Sequence, residues 1–424
     1  MLANFFKILK TPGLRKRIFI IAGLLVVFRL FAAIPIPGID HARLVDLIAN
    51  TPGLGYMNIV SGGALEKLSI AMLGVGPYIT ATIILQLLTM IFPRLKEYYY
   101  EEGAEGRAKF ERLGRTLTVP LAVLSGFGFL RFLASRGVMP GMTISGILIN
   151  VLVITAGSML VLWLGELIGE QKLGNGVSFI IFAGIVSGLP VSAFGVLDKL
   201  SQGEMRIDTL LIFALLALVV IAGVAIINAA ERKIPVSYAK RVRGNRMYGG
   251  VSTYLPIRLN QAGVIPIIFA ISLLIFPQLL SQIVSAFSLP LSQSINNFAQ
   301  SFQANHLAYG AAYFILVFIF TYFYTSIVFN PEEISKNLQR AGGFVAGIRP
   351  GQPTAQYLSH VINRITLFGA LFLGLIAVLP IITQAITNQP NLTVGGTALL
   401  IVVSVALETA QKIDSELKIR EYEV

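Results

Sequence analysis

The hydrophobic positions of this chain fall into ten runs, near 18–34, 68–92, 117–133, 144–164, 177–194, 210–227, 262–283, 308–329, 365–386 and 395–412, with polar stretches between them. As helices rising about 1.5 Å per residue, such runs cross the roughly 30 Å of a bilayer's hydrocarbon core. The pattern predicts an all-α membrane protein with ten transmembrane helices. An even number of crossings leaves both termini on one side. A split into five plus five makes any second-half repeat inverted relative to the first, a layout that generally places a pathway at the repeat interface.

Several runs are interrupted. Gly74, Gly76 and Pro77 break the second, and similar breaks occur at Gly174-Asn175-Gly176 and Gly263-Val264-Ile265-Pro266. Irregular backbone at membrane depth is tolerated only where protein or water satisfies the freed groups. Upstream of the first break, Ser61-Gly62-Gly63-Ala64-Leu65-Glu66-Lys67-Leu68 is too polar for a crossing and reads as a short half-inserted helix. The plainer alternative is an interfacial turn at the headgroups. Charge within the runs is sparse, and the polar side chains there are mostly uncharged, notably Thr80, Thr82 and Gln86 in the second, with Asn260 and Gln261 at the edge of the seventh. Amides there join helices through bonds of about 0.6 to 2 kcal/mol, weak enough to part, and static glue is the simpler role.

Composition agrees with the pattern. Hydrophobic residues make up 55% of the chain and charged residues 13%, against about 25% charged in soluble domains. The net charge of +12 would suggest nucleic acid in a soluble protein. Here 26 of the 33 Lys and Arg lie in the N-tail, in 93–116, 165–176, 228–261 and 330–364, and in the C-tail together with Lys412 at the end of the last run; the alternate side has six, Arg43, Lys67, Arg131, Arg136, Lys199 and Arg206, and Arg29 lies late in the first run, where it can snorkel or pair. That asymmetry puts both tails in the cytoplasm and accounts for the charge without DNA binding. The loops 228–261 and 330–364 are long and basic, forming a platform suited to an acidic or RNA-bearing partner, unless they act only as topology signals.

Enzyme chemistry lacks its residues. With no Cys, thiolate sites are excluded; with three His, His-rich metal chemistry is nearly so, and no HExxH, GxSxG or GxxxxGK[ST] pattern appears. No Asp lies inside a run, and Glu166 and Glu170 sit at a run's end. No cofactor is implied.

Eleven short segments then occur in order: Ile34-Pro35-Ile36-Pro37-Gly38-Ile39-Asp40, Ser61-Gly62-Gly63-Ala64-Leu65, Gly76-Pro77-Tyr78-Ile79 followed by Gln86-Leu87-Leu88, Trp163-Leu164-Gly165-Glu166, Gly174-Asn175-Gly176, Phe182-Ala183-Gly184-Ile185-Val186, Tyr238-Ala239-Lys240-Arg241, Asn260 with Ala262-Gly263-Val264-Ile265-Pro266, Phe329-Asn330-Pro331, Gly347-Ile348-Arg349-Pro350-Gly351 and Gly395-Gly396-Thr397. Each is weak alone. In this order they resemble the SecY family, the central subunits of bacterial protein-conducting channels, over nearly the whole chain.

The resemblance implies two inverted five-helix halves, 18–194 and 195–412, around a central pore, with cytoplasmic tails at 1–17 and 413–424. It implies a pore ring of Val75, Ile79, Val177, Ile181, Ile268 and Ile401, and a plug at about 58–70 that includes Ser61, Gly62, Gly63, Ala64 and Leu65. It places Thr80, Gln86 and Asn260 at a lateral gate through which hydrophobic segments leave for lipid. Lys240, Arg241, Arg243, Arg246 and Arg349 would dock the ribosome or the motor ATPase SecA, and SecE and SecG would complete the complex. The implied substrates are signal sequences and unfolded preproteins, crossing or entering the bacterial plasma membrane. A branched aliphatic ring suits that role, since it gates by dewetting and yields to a passing chain. Two other readings stand beside it: a secondary solute transporter, and an accessory channel of the same fold with narrower clients.

Overall fold

The computed structural model describes residues 11–37, 43–44, 64–65, 67–89, 91–100, 103–135, 137–139, 143–203, 207–238, 241–243, 246–248, 252–284, 288–387 and 393–423. Helices dominate: α1 (Pro12–Ala33), α2 (Gly76–Leu88), α3 (Pro93–Tyr100), α4 (Gly103–Ser135), α5 (Ile144–Gly169), α6 (Gly176–Ser201) and α7 (Ile207–Ala229). Four strands follow, β1 (Glu231–Tyr238), β2 (Arg241–Arg243), β3 (Arg246–Tyr248) and β4 (Ser252–Arg258). Then come α8 (Ile265–Val284), α9 (Leu289–Ala304), α10 (His306–Val328), α11 (Pro331–Arg340), β5 (Gly343–Val345), α12 (Gln352–Thr387) and α13 (Thr393–Glu423).

Local chemistry fixes several helix starts. Proline, which lacks the N–H that a first turn cannot satisfy anyway, opens α1, α3 and α11 as Pro12, Pro93 and Pro331. Asn330 caps α11, its Oδ1 accepting from the backbone N–H of Glu332 at 3.1 Å and of Glu333 at 3.4 Å. Helices outrun their apolar segments, most at the starts of α4, with 33 residues, and α12, with 36, each beginning well before the run it contains. Hydropathy marks only the part of a helix that needs lipid, whereas the helix continues into polar surroundings.

Four segments are long and apolar enough to cross a membrane, Glu105–Ala134, Ile144–Gly169, His306–Arg340 and Gln352–Leu379, among the described residues. Shorter apolar helices cover Gly76–Leu88, Gly176–Pro190, Ala217–Ala229 and Ile265–Gln278. Leu152, Leu215, Ile315 and Phe368 point outward and are exposed. Each such side chain would forfeit about 1.5–3 kcal/mol in water, so these faces fit lipid.

The chain divides into two compact units. The first comprises 1–211, 272–305 and 405–424; the second comprises 212–271 and 306–404. In the first, α4 packs on α2, α3 and α5, and α1 on α5 and α6. Its core joins Leu65, Leu68 and Met72 to Phe129, Leu133 and Ile154. In the second, α10 and α11 pack on α12, beside a sheet of order β4-β1-β5. Both β1–β4 and β1–β5 are antiparallel, with Val236 opposite Thr253 on one side and Val345 on the other. Pro235 lies inside β1 at a position β5 does not reach, so the strand has one neighbour there and the missing donor is tolerated. A separate hairpin pairs β2 with β3, Arg243 opposite Arg246.

Candidate functional site

The backbone ahead of α2 is folded but not helical. Ile36 donates its N–H to the Leu68 carbonyl at 2.9 Å, and Ile70 donates to Ile34 at 3.0 Å. Ala64, Leu65, Leu68, Ser69 and Val75 are buried. Of the segment expected to be a half-inserted helix, Ala64, Leu65, Lys67 and Leu68 are described and form turns; Ser61, Gly62, Gly63 and Glu66 lie outside the described residues. Buried Ala64 and Leu65 are core groups rather than headgroup contacts. The segment closes tightly on α5. A Cβ at Gly157 would fall on the Ile70 carbonyl oxygen, so only glycine admits this approach, and Ser158 Oγ donates to the Gly74 carbonyl at 2.8 Å.

The break between α5 and α6 uses the same device. A Cβ at Gly176 would meet the Gly165 carbonyl oxygen, and Asn175 Oδ1 accepts from the Ser178 N–H at 3.2 Å. The tight corner leads directly into Val177, half-buried, and Ile181, buried. Four of the six expected ring residues, Val75, Ile79, Val177 and Ile181, thus belong to the first unit, the first two flanking the start of α2 and the others opening α6. Ile268 in the first turn of α8, half-buried, and Ile401 on α13, buried, belong to the second.

The expected gate residues differ in their bonding. Thr80 Oγ1 donates to the Gly76 carbonyl at 3.1 Å, and Thr82 Oγ1 to Tyr78 at 2.8 Å, so both hydroxyls are spent within α2 rather than between helices. Gln86 is buried, and its Oε1 has no hydrogen-bond partner among the described residues. In the second unit, Asn260 Nδ2 donates to Asn228 Oδ1 at 3.0 Å and to the Gly263 carbonyl at 3.3 Å. Asn228 Nδ2 in turn donates to Ser404 Oγ at 3.4 Å. This chain of amides ties the end of α7, the approach to α8, and α13 together. Asn260 Oδ1 and Gln261 Oε1 are buried and have no hydrogen-bond partner among the described residues. A buried acceptor left unpaired costs about 1–3 kcal/mol, so the cluster stores a preference for a donor. Asn228 and Ser404 escape a sequence reading; the available signal is a lone amide in the last turn of an otherwise apolar helix.

The basic loops form one folded body within the second unit. Ile234, Ile257 and Val345 from the strands pack with Leu358 and Ile362 of α12. Arg349 is exposed in the turn between β5 and α12. Its carbonyl accepts from Thr354 Oγ1 at 2.8 Å, and Ser335 Oγ donates to Gly351 at 2.6 Å, so the turn is fixed from two sides. Arg241, Arg243 and Arg246 lie on the paired arms β2 and β3, and Lys240 lies outside the described residues. In the first unit, Arg115 of α4 pairs with Glu166 of α5 at 2.6 Å.

Apolar lipid-facing helices, glycine-built breaks opening onto aliphatic side chains and a basic folded platform define a helical membrane channel. The SecY family model matches residues 69–410, and the chain belongs to that family. It is 42% identical to the protein translocase subunit SecY of Streptomyces coelicolor, over all of this chain and 99% of that one. A solved protein-conducting channel shares the fold with a TM-score of 0.67 at 18% identity, covering 94% of this chain and 91% of its own. Sec61 in the canine ribosome-channel complex from the endoplasmic reticulum matches with a TM-score of 0.64, also at 18% identity and with the same coverage.

Proposed function

We propose that the chain forms the conducting path for unfolded preproteins across the bacterial plasma membrane and releases hydrophobic segments sideways into it. It is a channel subunit, not an enzyme. Ten crossings in two inverted halves, 18–194 and 195–412, surround the pore, with both termini cytoplasmic. The observation that carries this reading is the repeated design at α2, α6 and α8: each begins at a glycine-containing break with branched aliphatics at its first turn and no charge. Val75, Ile79, Val177, Ile181, Ile268 and Ile401 form the seal, which offers ions no replacement for water yet parts around a peptide. The segment 58–70 plugs it. Thr80, Gln86 and Asn260 line the lateral gate.

The platform around Arg349 and the β2–β3 hairpin docks the ribosome or SecA, and SecE and SecG complete the complex. Its charge suits ribosomal RNA and acidic protein surfaces, and a related channel of the same fold is ribosome-bound. The test is reconstitution with SecE and SecA in sealed vesicles, scoring preprotein protected from protease. ATP-dependent protection is expected from the native chain and its loss from Arg349→Glu. Protection that persists in Arg349→Glu removes the docking role; none from the native chain removes the channel reading.

A further inference from the structure

The helix α9 is unlike its neighbours: 16 residues, Leu289–Ala304, with no charge. No Asp, Glu, Lys or Arg occurs anywhere between Arg258 and Glu332. At about 100° per residue its side chains sort into three faces. Ser292, Ala299 and Gln303 share one, and there Ser292 and Ala299 are buried. Ser292 Oγ donates to the Ser281 carbonyl at 2.8 Å, Ser281 Oγ donates to the Ser292 carbonyl at 2.9 Å, and Gln278 Nε2 donates to Gln303 Oε1 at 3.1 Å. This polar face is spent on α8. Gln293, Asn297 and Gln300 form a second face and are exposed.

The third face is apolar: Leu291, Ile295, Phe298 and Phe302. Leu291 is 54% exposed and Phe298 67% exposed, and the Phe298 and Phe302 rings stack with centroids 6.4 Å apart. A water-soluble helix buries such a stripe and shows its amides; here the amides hold the protein and the stripe is left outside. The chain also fixes the level of α9. It runs from near the end of one apolar helix, α8, to the start of another, α10, with only Asn305 between Ala304 and His306.

We propose that α9 lies in the plane of the membrane on the face reached by the C-terminal end of α8, with the Leu291–Phe302 stripe seated at the headgroup–acyl boundary and Gln293, Asn297 and Gln300 in water. The occupant is bilayer lipid. Because α9 has no charge, seating depends on apolar area and not on anionic lipid. Through the Ser281–Ser292 and Gln278–Gln303 bonds it anchors that end of α8 to the membrane surface. The inference rests on the membrane-channel reading and assigns it a lipid contact.

The chain has no cysteine, so single substitutions report one position each. Leu291→Cys, Phe298→Cys and Gln300→Cys are spin-labelled in the full chain, reconstituted in phosphatidylcholine vesicles with and without phosphatidylglycerol. Leu152→Cys on α5 is the embedding control. The ratio of oxygen to nickel-chelate accessibility is expected to be roughly threefold or more higher at 291 and 298 than at 300, and equal in the two lipid mixtures. Nickel access at 298 equal to that at 300 puts the stripe in water and overturns the proposal. Shielding of 291 and 298 from both reagents, with coupling between labels, makes the stripe a contact between copies and overturns it as well. Dependence on phosphatidylglycerol refutes the charge-independent seating. A water-exposed signal at Leu152→Cys would show that embedding itself fails, and with it the channel reading.

Discussion

The break ahead of α2 and the approach to α8 solve one problem in opposite ways. Ahead of α2, the freed backbone is locked by shape: the Ile70 carbonyl lies where Gly157 would carry a Cβ, and Ser158 closes on Gly74. Ahead of α8, the freed groups are held by side-chain amides, Asn260 on Asn228 and Gly263, with acceptors left over. A steric lock tolerates no adjustment, while amide bonds of about 1 kcal/mol exchange readily. The first break is therefore a fixed abutment, and the second is the element that can shift.

That contrast is sharpest at Gly157. Gly157→Ala puts a methyl on a backbone carbonyl and is expected to lower stability by about 3 kcal/mol or more, read as loss of trypsin resistance and a lower Tm in detergent. Wild-type behaviour would mean that the abutment is soft. Next in size, Asn228→Leu releases the Asn260 amide at a cost of about 1–2 kcal/mol and should admit preproteins with weakened signal sequences. Unchanged selectivity in the vesicle assay would confine Asn228 to static packing.

Gln86→Leu removes a buried orphan acceptor, so stability should hold or rise by under about 1 kcal/mol. A clear loss would reveal a partner for Oε1 that the contrast omits. Smallest of all, Thr80→Val gives up only a bond to its own helix and should stay within about 0.5 kcal/mol, with native translocation rates. A slowed rate at unchanged Tm would give that hydroxyl a role across the gate.

The apolar runs and glycine breaks were legible because both are local: hydropathy needs only a window, and the corners at 74–77, 174–176 and 263–266 announce themselves by residue type. The starts of α4 and α12 were not, since their first turns are polar and carry no lipid signal. The helix α9 hides for a related reason, having a stripe but no continuous apolar run. The strand β1 reads poorly because Pro235 argues against a central strand, and only the three-residue length of β5 resolves the conflict. Asn228 and Ser404 stand 176 residues apart, and nothing in either neighbourhood names the other.

The platform's core rests on Leu358 and Ile362, the opening turns of α12, and that same helix continues through the apolar segment to Leu379, a rod of ~42 Å. Tyr322 of α10 donates to the Asn363 carbonyl along its flank at 3.3 Å. A push on Arg349 from outside therefore acts as torque on a beam rather than as a tug on a tether. Within the second unit, a force applied at that turn would reach the apolar segment of α12 through one continuous helix, with no slack loop to absorb it.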